Sequence, residues 1–149
     1  MIKICFVCLG NICRSPMAEY IMKKKLKDLN QDNEFYITSR ATSYEEQGNN
    51  IYPPAQRKLT EENIPYGKHC ATRLEPNDYD KYDYFICMEE RNISNAIRIF
   101  GNDSNNKITK LLERDIADPW YTGNFDDTYN DLNIGLDKLI RTLIEENKD

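Results

Sequence analysis

Apolar residues follow two rhythms along this chain. Ile2-Lys3-Ile4-Cys5-Phe6-Val7 is a short, β-rich apolar run, whereas Ala18, Ile21, Met22, Leu26 and Leu29 recur at three- and four-residue spacing. The first pattern predicts a strand and the second a helix. Phe35 to Ser39 reads as the next strand, a polar loop runs through Gly48 and Asn50, and a helix is expected from Pro53-Pro54 to about Asn63. Tyr84-Phe85-Ile86-Cys87 is continuously apolar, as expected of a strand covered on both faces. Tyr79, Tyr82 and Tyr84 alternate, which reads as a strand approaching the sheet. Ile93, Ala96, Ile97 and Phe100 make a helical stripe, Ile108 to Leu112 offers a fourth strand, and Leu132, Leu136, Leu139, Ile140 and Leu143 give a long terminal helix. Alternating strands and helices predict an α/β fold, a parallel sheet with helices on both faces and right-handed crossovers.

Length and composition narrow the class. The 149 residues suit one domain, 1–149, and 40% hydrophobic content is enough for a substantial core. A net charge of −5 argues against a nucleic-acid surface, so an anion site has to be built locally from helix termini and Arg. Lys23-Lys24-Lys25 with Lys27 reads as the solvated face of the first helix. The first apolar stretch is too short for a signal peptide, and no run reaches the roughly 18 apolar residues of a membrane span. The expected location is therefore the cytoplasm, where five cysteines, an odd number, read as free thiols.

The candidate chemistry lies between the first strand and the first helix. In Cys8-Leu9-Gly10-Asn11-Ile12-Cys13-Arg14-Ser15 a thiol precedes a guanidinium by six positions, and no other cysteine of the chain has an Arg at that distance. Ser15 reads as the helix N-cap, with Pro16 at the first helical position, where a missing N–H costs nothing. The free N–H groups and positive dipole end of that helix favour both a thiolate and a phosphoryl group. Arg14 offers a planar fork that matches two phosphate oxygens, and the backbone N–H groups from Leu9 to Arg14 can take the others. Gly10 is expected to let the backbone turn close to a ligand, and Asn11 to accept a left-handed conformation. Cys5 and Cys8 also form a CxxC pair, but residues three apart on a strand face opposite sides and no second pair of ligands accompanies them, so no metal is expected.

The segment Val7 to Pro16 resembles the signature loop of the low-molecular-weight protein tyrosine phosphatases. The likeness continues through Ser39-Arg40-Ala41-Thr42-Ser43, Ile64-Pro65, the neighbourhood of His69, Tyr84-Phe85-Ile86-Cys87-Met88, and Asp118-Pro119-Trp120-Tyr121. Arg40 stands where that family usually has a small residue, and Trp120 where Tyr is commoner. The resemblance implies a four-stranded parallel sheet, with the phosphate-binding loop after the first strand and Asp118 in the loop after the fourth. It implies hydrolysis of phosphotyrosine in proteins, and of small aryl phosphates, through a phosphocysteine: Cys8 the nucleophile, Arg14 the transition-state clamp, and Asp118 the general acid and then base. It further implies that Leu9, Gly10, Asn11, Ile12, Cys13, Arg14 and Ser15 hold the phosphate. Asn11, Ser39 and His69 would brace the loop from behind, and Ser15 would donate to the thiolate. Tyr44, Trp120 and Tyr121 would wall the crevice, and Cys13 would pair reversibly with oxidised Cys8. Inorganic phosphate and vanadate are the implied small ligands, with no cofactor.

Two other functions share part of this pattern. A thioredoxin-coupled arsenate reductase uses a similar loop, but its relay needs two further closely spaced cysteines, and Cys70 and Cys87 are seventeen apart. A cysteine phosphocarrier without hydrolytic role also holds phosphate after a first strand, but it has no use for Arg14 and Asp118.

Overall fold

In the computed structural model, which describes residues 1–147, the order of elements follows the alternation of the sequence. The strands are β1 (Ile2–Cys8), β2 (Phe35–Ala41), β3 (Tyr84–Cys87) and β4 (Ile108–Lys110), and the helices α1 (Arg14–Asp28), α2 (Pro53–Glu61), α3 (Glu90–Phe100), α4 (Pro119–Thr122) and α5 (Phe125–Glu146). The strands form one parallel sheet in the order β2-β1-β3-β4. β1 and β3 are thus interior, which explains their continuous apolar runs.

Residues alternate between the two faces of the sheet. Ile4, Phe6, Cys8 and Ile86 pack on one side with Met17, Ile21 and Met22 of α1, Leu59 of α2, and Leu132, Leu136 and Ile140 of α5. Cys5, Val7, Phe85 and Cys87 pack on the other with Ala96 and Phe100 of α3. Cys5 and Cys8 accordingly belong to different cores, as residues three apart on a strand must. Among the described residues no helix is long and apolar enough to cross a membrane.

Several boundaries differ from the sequence reading. α1 begins at Arg14, so Ser15 lies inside the first turn rather than capping it, and no side chain caps this helix. The hydroxyl that would cap is engaged with Cys8 instead. α2 stops at Glu61 because Asn63 turns left-handed (φ 60°) and Ile64 N–H folds back to the Leu59 carbonyl at 2.8 Å. Tyr79 is not on a strand approach. It sits in a 3₁₀ turn, Pro76–Lys81, closed by reciprocal bonds between Glu75 and Asp78. β4 is shorter than the strand expected over Ile108 to Leu112, because Leu111 and Leu112 turn onto α5 at Gly135, where a Cβ would come within 2.7 Å of Leu111 Cγ.

Candidate active site

β1 ends at Cys8, and the next five residues turn tightly before α1 starts. Asn11 makes the turn possible with a left-handed backbone (φ 60°), a conformation its short polar side chain tolerates. Gly10 is not left-handed. Its missing Cβ instead admits Glu46, whose Cγ would lie 3.3 Å from that atom.

The Cys8 sulfur is ringed by donors. Asn11 N–H reaches it at 3.3 Å, Ser15 N–H at 3.4 Å and the Ser15 hydroxyl at 3.0 Å. Asn11 Nδ2 donates to the same Ser15 oxygen at 2.8 Å, and the hydroxyl proton has two acceptors in reach, the sulfur at 3.0 Å and the Arg40 carbonyl at 3.5 Å, of which sulfur is the nearer. Because Ser15 N–H belongs to the first turn of α1, the thiol accepts from an orphan helix N–H as a capping oxygen would. The thiol form of Cys13 is favoured: burial, with Cys8 nearby, pushes its pKa well up. Burial does the same to Cys5 and Cys87.

Arg14 is the largest of the fully buried side chains, 1% exposed, and each arm of its fork has a partner. Nη1 donates to the Ile116 carbonyl at 2.9 Å and lies 3.4 Å from Glu89 Oε2, while Nη2 lies 3.3 Å from Asp118 Oδ2. Asp118 is fixed in turn. As N-cap of α4 it accepts from Trp120 N–H through Oδ1 at 3.0 Å, and Pro119 occupies the first helical position. Asp115, the neighbouring carboxylate, is committed elsewhere: Glu90 N–H and Lys110 bond it at 2.9 and 3.1 Å and hold its carboxyl below the usual range.

Behind the loop, His69 Nε2 meets the Asn11 carbonyl at 2.7 Å, and Thr72 N–H donates to Asn11 Oδ1 at 3.1 Å. An N–H at Nε2 is required, since a carbonyl only accepts. Burial lowers the His69 pKa, partly opposed by that bond, which favours neutral imidazole. Ser39 lies elsewhere. Its hydroxyl donates to Glu19 of α1 at 2.6 Å and ties β2 to that helix rather than touching the loop.

One cavity opens over the loop, lined by Cys8, Leu9, Gly10, Ile12, Cys13 and Arg14 and beyond them by Asp118, Trp120, Tyr121, Glu45 and Glu46. Asn11 and Ser15 do not line it and serve the loop from beneath. Tyr44 does not line it either: its hydroxyl donates to Glu75 at 2.9 Å and accepts from Arg73 at 3.1 Å, and Arg73 lies over its ring. Tyr52 supports two sides of the site at once, bonding the Ile12 carbonyl through its N–H at 2.9 Å and packing its ring 4.6 Å from Trp120. Glu89, Thr72, Tyr52, Glu45 and Glu46 were not visible as site residues in the sequence. Only the helix-capping position of Glu89, after β3 and before α3, offered a signal. Cys87 packs on the opposite face of the sheet from Cys8, and Cys70 is exposed.

The arrangement unites an N–H-ringed thiol, a buried guanidinium and a carboxylate at one cavity, the parts needed to move a phosphoryl group through sulfur. Comparison with known proteins shows what the chain resembles. Residues 3–149 match the family model described as low molecular weight phosphotyrosine protein phosphatase. The low molecular weight protein-tyrosine-phosphatase PtpA of Staphylococcus saprophyticus is 40% identical over 152 residues, spanning 98% of this chain and 96% of that protein. Its Staphylococcus aureus (strain Newman) counterpart is 35% identical with the same coverage. Among solved structures, the low molecular weight protein tyrosine phosphatase SP-PTP of Streptococcus pyogenes superposes with a TM-score of 0.90 at 38% identity, covering 96% of this chain and 93% of that one. YfkJ from Bacillus subtilis superposes with a TM-score of 0.96 at 31% identity, covering 99% and 98%.

Proposed function

We propose, from the premise that the chain belongs to the low molecular weight phosphotyrosine protein phosphatase family and is a protein tyrosine phosphatase, that it works through a phosphocysteine on Cys8. The carrying observation is the convergence on one cavity of the Cys8 sulfur with its three donors, the Arg14 fork and Asp118.

In the first step the Cys8 thiolate attacks phosphorus in line with the aryl oxygen. The S–P bond forms, the P–O bond breaks, and Asp118 as a carboxylic acid protonates the departing phenolate. Arg14 and the loop N–H groups from Leu9 to Arg14 take the equatorial oxygens, whose charge redistributes as the transition state forms. On binding, the phosphate replaces Asp118 as the partner of Nη2, which frees the acid to turn to the leaving oxygen before that step. In the second step the Asp118 carboxylate takes a proton from water, the hydroxyl oxygen attacks phosphorus, and the S–P bond breaks to give inorganic phosphate and the thiolate. The Ser15 hydroxyl, 3.0 Å from sulfur, stabilises that leaving thiolate.

The substrates under this reading are phosphotyrosine in proteins and small aryl phosphates, with Trp120 and Tyr121 against the ring. Phosphate and vanadate are ligands of the loop, and Asn11 and His69 brace it. The reading treats 1–149 as one phosphatase domain and assigns it to the cytoplasm, in keeping with five free cysteines. The test is hydrolysis of p-nitrophenyl phosphate and phosphotyrosine with and without a chelator, beside the Cys8→Ser and Arg14→Lys variants. Chelator-indifferent activity that vanishes in Cys8→Ser, nearly vanishes in Arg14→Lys, and is competitively blocked by vanadate is expected. Full turnover in Cys8→Ser refutes the covalent step.

A further inference from the structure

The residues lining the crevice carry a charge balance that phosphoryl transfer does not require. Glu45, Glu46 and Asp118 set three carboxylates against a single cation, Arg14, which is buried and already engaged with Ile116, Glu89 and Asp118. Asp118 and Arg14 have work in the reaction. Glu45 and Glu46 have none, yet both line the crevice. Glu46 lies against Gly10 and accepts from Asn49 Nδ2 at 3.0 Å, and Glu45 N–H is tied to Ser43 Oγ at 3.0 Å. Arg73, which follows the same loop across the bridge to Ala41, does not offset them, because its guanidinium lies over Tyr44 and bonds that hydroxyl, with Glu75 at 4.0 Å.

A phosphate monoester therefore brings up to two negative charges to a crevice whose walls are already acidic. Arg14 and the loop N–H groups offset that charge at the floor, but no lining residue offsets it at Glu45 and Glu46. A cation supplied by the substrate would. The same crevice is lined by Trp120 and Tyr121, 49% and 77% exposed, and exposed aromatic faces attract guanidinium and ammonium groups.

Resting on the phosphotyrosine phosphatase reading above, we propose that Glu45 and Glu46 select substrates in which Arg or Lys adjoins the phosphotyrosine and disfavour those with acidic neighbours. These carboxylates determine which peptides enter, not the chemical step. Charge pairs at a solvated rim are individually weak, and several together act mainly on association and partner choice, so the expected preference is roughly 3- to 30-fold in kcat/KM. It shrinks as salt is raised, since the Debye length is about 10 Å at 0.1 M and only about 3 Å at 1 M.

The test uses three phosphotyrosyl peptides identical except for Arg, Ala or Glu on both sides of the phosphotyrosine, with p-nitrophenyl phosphate alongside. The wild type should favour the Arg peptide over the Glu peptide by the stated factor at low salt. The double variant Glu45→Gln/Glu46→Gln should bring that ratio to within about twofold of unity, and Glu45→Lys should move it toward the Glu peptide, because the ratio reads the rim charge. Equal use of the Arg and Glu peptides by the wild type, or a ratio that survives in the double variant, overturns the proposal while leaving the phosphatase reading intact. Failure to hydrolyse any peptide or p-nitrophenyl phosphate overturns both.

Discussion

Each oxygen of Asp118 has its own partner, and this pairing sets the first prediction. Oδ1 holds the start of α4 through Trp120 N–H, and Oδ2 faces Arg14. In Asp118→Asn the amide oxygen still accepts from Trp120, so the turn survives while the acid is lost. Turnover on phosphotyrosine should fall about 10²- to 10⁴-fold. The leaving-group step should suffer less for an ester of an acidic phenol, which departs without a proton. Equal losses of that step for acidic and basic phenols, in a leaving-group series, would move the proton to another residue. Cys13 supports a second prediction. Peroxide oxidises the Cys8 thiolate to a sulfenic acid with release of hydroxide, and the Cys13 thiol then displaces water from that sulfenic acid to close a disulfide, which a dithiol reductant reopens. Since burial keeps Cys13 protonated, closure should be slow but protective. Wild-type protein should regain most activity after peroxide and reductant, while Cys13→Ser should be active beforehand and recover poorly. Equal recovery, or a peptide map joining Cys8 to Cys5, removes Cys13 from this role. At this scale, the residues legible in the sequence were those whose chemistry is local: Cys8, Arg14 and the Asp118-Pro119 turn. Glu45, Glu46 and Tyr52 were hidden because residues 43–52 have no hydrophobic period to show which side chains point inward. The family resemblance implies Tyr44 at the crevice, but Arg73 and Glu75 engage its hydroxyl and it does not line the cavity.

Among the elements, strands and long helices were legible because burial on one or two faces imposes a period on the sequence. α4, four residues long, completes barely one turn and had no stripe to read, although it carries Trp120 and Tyr121. Three alternating tyrosines resemble a pleat and so suggest a strand at Tyr79, whereas the Glu75–Asp78 capping pair that decides for a 3₁₀ turn is a local polar signal. Strand order was not legible from periodicity at all, since the order β2-β1-β3-β4 depends on crossovers that leave no mark in a single strand. The packing of α5 on the end of β4 is open to a test of competing terms. Gly135 lies mid-helix, where Ala would gain about 1 kcal/mol of helix propensity. Its new Cβ would, however, meet Leu111 Cγ at 2.7 Å, and overpacking of this kind costs about 1–3 kcal/mol. Gly135→Ala should therefore be destabilised by up to about 2 kcal/mol. Adding Leu111→Ala, which by itself removes buried surface, should recover part of that loss. A denaturant-unfolding cycle of the four proteins measures the coupling. Additive effects of the two substitutions, or a more stable Gly135→Ala, would mean that Leu111 repacks without strain.

The whole molecule brings the site together from segments far apart in sequence. Cys8 and Arg14 come from the turn between β1 and α1, Glu89 from the start of α3, Ile116 and Asp118 from the chain after β4, and His69 and Thr72 from the stretch before β3. Such a site depends on long-range closure, so its braces are also braces of the fold, and His69 makes that coupling measurable. Its ring bonds the carbonyl of Asn11, the left-handed residue on which the loop turns, and burial lowers its pKa. The unfolded chain, where a histidine titrates near 6.5, then binds a proton more readily than the native state. Stability contributed by neutral His69 is therefore fully present above about pH 6.5 and is lost as the pH falls through its lower native value. Carboxylates titrate over the same acid range, so the wild type alone does not isolate the effect. His69→Gln supplies the reference, since its amide can still donate toward Asn11 but carries no titrating proton. The wild-type advantage in unfolding free energy should be constant from about pH 8 to 7 and narrow steadily toward pH 5.5. A difference that stays flat across the range, or widens in acid, would show that His69 keeps its charge-neutral bond at no cost and that the loop is held by Thr72 and Tyr52 instead.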